Sequence, residues 1–421
     1  MLKPAREDAP IDRGDGEDLT SAVSAAAPWI ALAVYLLLPV FVVHDSALFA
    51  FLAQSAVMIV LALSYNLLLG QAGLLSFGHA AYAGLAAFVA AHVFNRGGIA
   101  LPWLPLVGGA AGAAFGAVFG FVATRRAGTA FAMITLGIGE LASAAALTLP
   151  AGFGGAAGVS IDRASGPAWG GWTFGPTREA YAVIAVWALL SVVAMFALTR
   201  TPLARLSNAV RDNAARVATL GVDPRRLRYA MFVVSSFFAG VAGTLGLIDV
   251  ELASADGVGM ARSGSVLIAT VIGGSATFFG PVAGALVLSV FSVMLAGVTR
   301  AWSLYLGLLF VMVVMCTPHG IAESWAAHRS RIAWHGWQRL WFAYLLQGLC
   351  AISWMGALVL MVETLYASRL AADSGGVWAL GRLEFDIAAP STWAVAAALC
   401  CVGALARRCA CGILPRRGDV L

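Results

Sequence analysis

Residues 201–228 read TPLARLSNAVRDNAARVATLGVDPRRLR, a charged stretch set between two long apolar runs. The pattern predicts one amphipathic helix with a defined start and stop. Thr201 suits the N-cap, and Pro202 suits the first helical position, where a missing N–H is harmless. Leu203, Leu206, Val210, Val217 and Leu220 recur at helical spacing along one stripe. Gly221 can supply the left-handed residue that ends the helix, and Pro224 bars its continuation. Arg205, Arg211 and Arg216 lie off the stripe, with Asp212 placed to pair with Arg216 four residues on. A helix of this kind fits a groove on a soluble partner; it fits equally a position in the lipid interface, with its arginines toward headgroups.

What surrounds this stretch decides the class. Of 421 residues, 61% are hydrophobic and 11% charged, at a mean hydropathy of +0.87, outside the range of soluble globular chains. Apolar runs lie near 28–44, 47–69, 75–95, 101–124, 129–148, 180–199, 229–249, 264–280, 283–298 and 301–317, with two more near 341–366 and 391–407. Many approach the roughly 20 residues that span hydrocarbon. The expectation is an all-α polytopic transmembrane bundle of about ten core spans plus two C-terminal ones. The runs at 28–44, 75–95 and 264–280 are short enough to be re-entrant or broken. A net charge of +5 gives no reason to expect nucleic acid as a partner.

Basic residues orient the bundle. Ten crossings followed by two place Arg125 and Arg126, the arginines from Arg200 to Arg228, the cluster Arg329, Arg331 and Arg339, and the tail Arg407, Arg408, Arg416 and Arg417 all in the cytoplasm. Both termini then lie inside, while the stretch Gly152 to Pro176 and the loop around Glu251 and Asp256 lie outside. Residues 1–27 begin with Glu7, Asp8, Asp12, Asp15, Glu17 and Asp18, the wrong sign for a signal peptide, and read as a disordered cytoplasmic tail. The six cysteines, Cys316, Cys350, Cys400, Cys401, Cys409 and Cys411, match no common zinc spacing and read as free thiols. No metal site is expected.

Within the spans, Gly108, Gly112, Gly116 and Gly120 repeat every fourth residue and offer a face for close helix packing. Gly273, Gly274, Gly280 and Pro281 interrupt an apolar run, as in helices that expose backbone to a translocation path; a simple kink explains them equally well. Asn66, Gln71, Ser76 and His79 stand in a glycine-rich aliphatic setting, and Glu140 lies inside FAMITLGIGELASAAALTL. A carboxylate at that depth costs about 2.5–3.5 kcal/mol on insertion scales. Each residue alone could serve interhelical packing. As a group, Asn66, Gln71, Ser76, His79, Glu140, Gly273 and Gly274 are the candidates for a translocation path.

Four ordered blocks carry a family resemblance: NLLLGQAGLLSFGHAAYAG (66–84), FAMITLGIGE (131–140), residues 201–245, and SGSVLIATVIGGSATFFGPVAGAL (263–286). Together they resemble the permease subunits of branched-chain amino acid ABC importers, of the LivM type, over roughly residues 45–318. The resemblance implies a bacterial inner-membrane importer working by alternating access. It also implies that 201–228 is the coupling helix, in which Arg205, Leu206, Arg211, Asp212, Asn213, Arg216, Val217, Ala218 and Gly221 meet an ATPase. The implied partners are ABC ATPase subunits, a second permease of LivH type, an extracytoplasmic substrate-binding protein and membrane lipid. No G-x-x-x-x-G-K-[ST] loop occurs, so this chain holds no cofactor of its own; ATP and magnesium belong to the partner ATPase, and the chain is not itself an enzyme.

Departures are also visible. Glu140 stands where the family pattern leads one to expect glutamine, FGGAAGVS (153–160) lacks a polar residue among its glycines, and residues 321–421 extend past the usual end of such chains. The expected domains are thus the tail 1–27, a permease domain 28–320, and an extension 321–421 with a basic, tryptophan-bearing linker and two spans. A secondary, ion-coupled transporter of small polar solutes is the alternative; broken glycine segments and Glu140 suit it, but it gives no reason for the charged helix at 201–228.

Overall fold

The computed structural model describes residues 16–97, 99–317, 320–325, 328, 337–370, 377–380, 383–386 and 390–413. Every apolar run identified in the sequence carries helix, because backbone surrounded by hydrocarbon must satisfy its hydrogen bonds within its own segment. The principal helices are α1 (Gly16–Leu37), α2 (Pro39–Val42), α3 (Ser46–Asn66), α4 (His79–Asn95), α5 (Leu104–Ala123), α6 (Thr129–Thr148), α7 (Pro150–Phe153) and α8 (Thr177–Thr199). They continue with α9 (Pro202–Thr219), α10 (Pro224–Val250), α11 (Met260–Gly273), α12 (Gly280–Ser289), α13 (Trp302–Cys316), α14 (Trp337–Leu370) and α15 (Pro390–Ile413). Among the described residues, six helices are long and apolar enough to cross a membrane, and further apolar helices are shorter. The chain is a polytopic helical membrane bundle.

The helices fall into two units, residues 1–290 with 318–322, and residues 291–317 with 323–421. At the heart of the first stand α3 and α10, 72% of whose apolar windows are buried. The glycine face foreseen on α5 packs against α10. A Cβ on Gly112 would collide with the Ser236 carbonyl and the Gly240 backbone, and one on Gly240 would collide with Gly108 and Gly112. Two short strands, β1 (Val159–Ser160) and β2 (Leu252–Ala253), pair antiparallel and strap the glycine-rich loop to the end of α10. Beside them the Arg163 Nε lies 3.1 Å from Glu251 Oε1, an ion pair the sequence did not announce.

In the second unit, α14 and α15 form a helical hairpin joined through strands β3 (Val377–Leu380) and β4 (Leu383–Asp386). Glu363 of α14 accepts hydrogen bonds from Thr299 Oγ1 at 2.7 Å and Tyr305 Oη at 3.0 Å. Cys350, Cys400 and Cys401 are free thiols; the side chains of the other three cysteines lie outside the described residues.

Several expectations need correction. Residues 16–27, read as part of a disordered tail, belong to α1, while 1–15 lie outside the described residues, as does most of the linker at 329–336. The stretch from Pro202 to Thr219 is not one smooth helix, since Asn213 takes extended angles (φ −157°, ψ 94°) and divides it. Asn213 Oδ1 accepts from the Arg216 N–H at 3.0 Å, so the side chain acts as an internal N-cap for the second half. The kink destroys the four-residue spacing that would have joined Asp212 to Arg216; Asp212 instead pairs with Arg211 at 3.1 Å. The Thr201 hydroxyl turns back to the Leu198 carbonyl at 2.6 Å and caps nothing ahead of it. Pro224 does more than stop a helix: it occupies the first turn of α10, whose N-cap Asp223 accepts from the Arg225 N–H.

Candidate functional site

Two of the crossings are broken at mid-height, and the breaks meet. Past Asn66, α3 widens into a π-helical turn, Leu67–Gln71, and residues 73–78 run without helix to the start of α4. That start lies beside the middle of α6: Phe77 N–H donates to Thr135 Oγ1 at 3.2 Å, and a Cβ on Gly78 would overlap the Thr135 carbonyl. From the opposite end of the bundle, the chain descends after β2 past Gly84, whose missing side chain makes room for Gly257 and Val258, and enters α11 at Met260. Ser263, in the first turn of α11, accepts from the Ala80 N–H at 3.0 Å. Helices of 17 and 14 residues, α4 and α11 are both too short for a full crossing of about 20 residues. Their first turns lie side by side inside the protein, with Ala80 beside Ser263 and Gly84 beside Val258.

Around this junction the polar side chains form a partly satisfied network. The Ser64 hydroxyl donates to the Leu61 carbonyl at 2.7 Å and so accepts from His79 Nε2–H at 2.9 Å. That assigns His79 the neutral Nε2–H tautomer and leaves its Nδ1 lone pair unpartnered. Ser235, near the middle of α10, donates to the Ser64 carbonyl at 2.6 Å. The Tyr65 and Tyr82 rings stand edge-on to His79, with centroids at 5.3 and 6.3 Å. Asn66 Oδ1, Ser76 Oγ, His79 Nδ1 and Tyr82 Oη are all buried without a hydrogen-bond partner among the described residues.

The junction is tied to the charged helix. Asn208 Nδ2 donates to Gln71 Oε1 at 2.8 Å, and the Arg211 guanidinium donates to the Gly70 carbonyl, both within the π-turn of α3. Thus the first half of α9 is bonded to the segment that leads directly to Ser76 and His79. Both halves meet in a small core of Val210, Val217 and Leu227, with Leu203, Ala214 and Val222 packed around it.

The predicted residues sort accordingly. Asn66, Ser76 and His79 are buried at the junction and Gln71 is half-buried beneath it. Gly273 and Gly274 end α11, and Gly273 packs so closely on Gly280 that neither tolerates a side chain. Glu140 stands apart, on the exposed face of α6 among Met133, Leu141 and Leu147. On α9, Arg205, Leu206, Arg211, Asp212, Asn213, Arg216, Ala218 and Gly221 are exposed, whereas Val217 is buried in the helix's own core. Of the apolar stripe, Leu206 and Leu220 also face outward, Leu220 at 77% exposure. Reading the sequence missed Ser64, Ser235 and Ser263, since single serines in apolar helices carry no spacing signal.

The sequence model described as branched-chain amino acid transport system / permease component matches residues 47–317. Among curated proteins, the chain is 29% identical over 286 residues to the high-affinity branched-chain amino acid transport system permease protein LivM of Escherichia coli (strain K12), covering 62% of this chain and 67% of that one. The protein of the same description from Salmonella typhimurium (strain LT2) is 28% identical over 291 residues, covering 64% and 68%. No solved structure matches the chain.

Proposed function

The chain belongs to the branched-chain amino acid transport system permease family, and from that premise we propose that it is the membrane-spanning subunit of an ATP-driven importer of branched-chain or related amino acids. In this reading the chain sits in a bacterial inner membrane, with its termini and α9 on the cytoplasmic side. It works with a pair of ATPase subunits, which bind the ATP and magnesium, with a second permease of LivH type, and with a binding protein that delivers substrate from outside. The exposed face of α9 (Arg205, Leu206, Asp212, Asn213, Arg216, Ala218 and Gly221) is the ATPase contact, and α6 with Glu140 faces the second permease.

The carrying observation is the pair of hydrogen bonds from Asn208 and Arg211 to the π-turn of α3. They give a movement of α9 a direct mechanical route to the junction of α4 and α11. Closure of the ATPase pair shifts α9, the π-turn follows, and the broken crossings reorient between inward and outward access. Asn66, Gln71, Ser76, His79, Gly273 and Gly274 line or gate the path.

Purification from detergent-solubilised membranes tests this reading. An ATPase subunit should co-purify with the native chain and be lost from a variant carrying Leu206→Asp and Leu220→Asp, both on the exposed side of α9. Recovery of the ATPase with both proteins would sink the docking assignment. Substrate uptake driven by an ion gradient without ATP would favour the secondary-transporter reading suggested by the broken helices.

A further inference from the structure

We propose that the groove between the tryptophan hairpin at 169–172 and the start of α8 holds one acyl chain of a membrane phospholipid, with the lipid's ester carbonyls at the groove's rim. The site is separate from the junction of α4 and α11 and from α9, and it stands whether or not the chain is an importer.

The groove is built from local sequence. Trp169, Gly170, Gly171 and Trp172 form a two-residue hairpin turn, and both glycines take the positive φ that such a turn requires (+60° and +84°). The two tryptophans exchange backbone hydrogen bonds of 3.2 and 3.1 Å, which fixes their indoles at one place. Phe174 is buried behind them, held in the left-handed region (φ 61°) while its N–H donates to Glu179 Oε2 at 2.8 Å. A bulky residue in that region is strained, and the carboxylate is what keeps it there. On the other side, Trp187 of α8 donates from Nε1 to the Pro102 carbonyl at 2.8 Å, pinning its ring against the turn that precedes α5. Between these walls, floored by Val183 and Val186, lies an open groove of about 260 Å³.

Chemistry and position select the occupant. No charged side chain lines the groove, so a free amino acid would find no partner there for either of its charges. Trp169 and Trp172 are 56% and 43% exposed, and their indole N–H groups have no acceptor among the described residues. An apolar channel with free N–H donors at its mouth matches the ester end of a phospholipid, where hydrocarbon gives way to carbonyl oxygen. Arg178 and Glu179 mark the polar end of α8, and the groove starts one turn further in, at Ala182 and Val183. Pro102 lines the same groove and its neighbour Trp103 is exposed, so three exposed tryptophans gather where amphipathic rings mark a membrane boundary. From Val186 in the wall, an exposed apolar strip continues along α8 through Leu190 and Val193, at the spacing of one helix face. That helix is long and apolar enough to cross a membrane, so the groove opens onto a face that hydrocarbon covers. A lipid tail gains no hydrophobic free energy by leaving the bilayer for such a groove; shape and the indole donors hold it.

The experiment extracts the full-length chain in detergent, with whatever subunits accompany it, and counts the phospholipid it retains by native mass spectrometry. Diester and diether phosphatidylcholine of equal chain length are offered in turn. The unmodified chain should hold the diester about two- to tenfold better than the diether, which lacks the carbonyl oxygens that the indoles would bond. Trp169→Phe and Trp172→Phe each remove an N–H donor while keeping an aromatic ring, and each should reduce that preference. Val186→Trp alters an exposed wall position and fills the groove, so this variant should retain one lipid fewer than the unmodified chain. Equal retention of diester and diether by the unmodified chain overturns the proposal. So does an unchanged lipid count in Val186→Trp, or protection of the groove by a co-purifying subunit in place of lipid. None of these readouts involves transport, so a failure of the importer reading, seen as an absence of ATP-driven uptake, leaves them unaffected.

Discussion

The seam between α5 and α10 and the junction between α4 and α11 are built from the same small residues, yet they do opposite things. Along the seam, Gly108 and Gly112 of α5 meet Gly240 of α10 backbone to backbone, Gly116 and Gly120 receive Ser236 and Phe232, and both helices run unbroken. Such packing has one arrangement, because every added atom collides with something. At the junction, glycines and serines accompany two helices that start in mid-bundle, and polar atoms are left without partners. In the proposed importer reading, the tightly packed seam is the fixed part and the incompletely satisfied junction the moving one.

The comparison breaks most readily at the seam. Replacing Gly112 with Leu forces a side chain into the Gly240 backbone and should destabilise the chain by about 3 kcal/mol or more. The check is the yield of monodisperse protein in detergent, which should collapse; normal yield and melting would mean the seam can yield after all. Next in size is Gly221→Val. Gly221 sits at φ +81° with open space around it, so a β-branched residue there adds backbone strain of about 1–3 kcal/mol with no clash. The protein should insert normally and lose ATP-coupled uptake; unchanged uptake would remove the tail of α9 from the coupling surface.

Smaller and sharper is Asn208→Ala, which deletes one hydrogen bond to Gln71, about 0.5–1.5 kcal/mol. ATP hydrolysis by the assembled transporter should persist while uptake falls several-fold, an uncoupling that a purely structural bond would not produce. The smallest effect belongs to Glu140→Gln. Its carboxylate is exposed on α6, so the melting of the isolated chain should move by less than about 0.5 kcal/mol. A large shift would place Glu140 inside the bundle's own packing.

Legibility from sequence followed the range of the interactions. The glycine spacing on α5 and the limits of α9, from Pro202 to the left-handed Gly221 just past its end, are local patterns, and each lies where the pattern implied. The division of α9 at Asn213 was less visible: asparagine is a favourable internal cap, but the surrounding helix formers outweighed that hint. Val217 and Leu220 belong to one apolar stripe by spacing, yet the first is buried against Leu227 and the second is exposed, because the kink turns the stripe. Glu140 looked like an inward carboxylate only because periodicity cannot say which face of an almost wholly apolar helix turns toward the protein.

By itself the sequence determined the class of the molecule, the place of its apolar helices, the limits of the charged helix, and the family. All of these rest on hydropathy, spacing and short motifs, which act over one or two helical turns. Only the tertiary structure decided that α4 and α11 begin side by side. That depends on Ala80 reaching Ser263 across 183 residues and on Ser64 receiving both His79 and Ser235. The tautomer of His79, the orphaned hydroxyls and the tether from α9 to the π-turn follow from that meeting, because a hydrogen bond between distant segments leaves no trace in the local pattern of either.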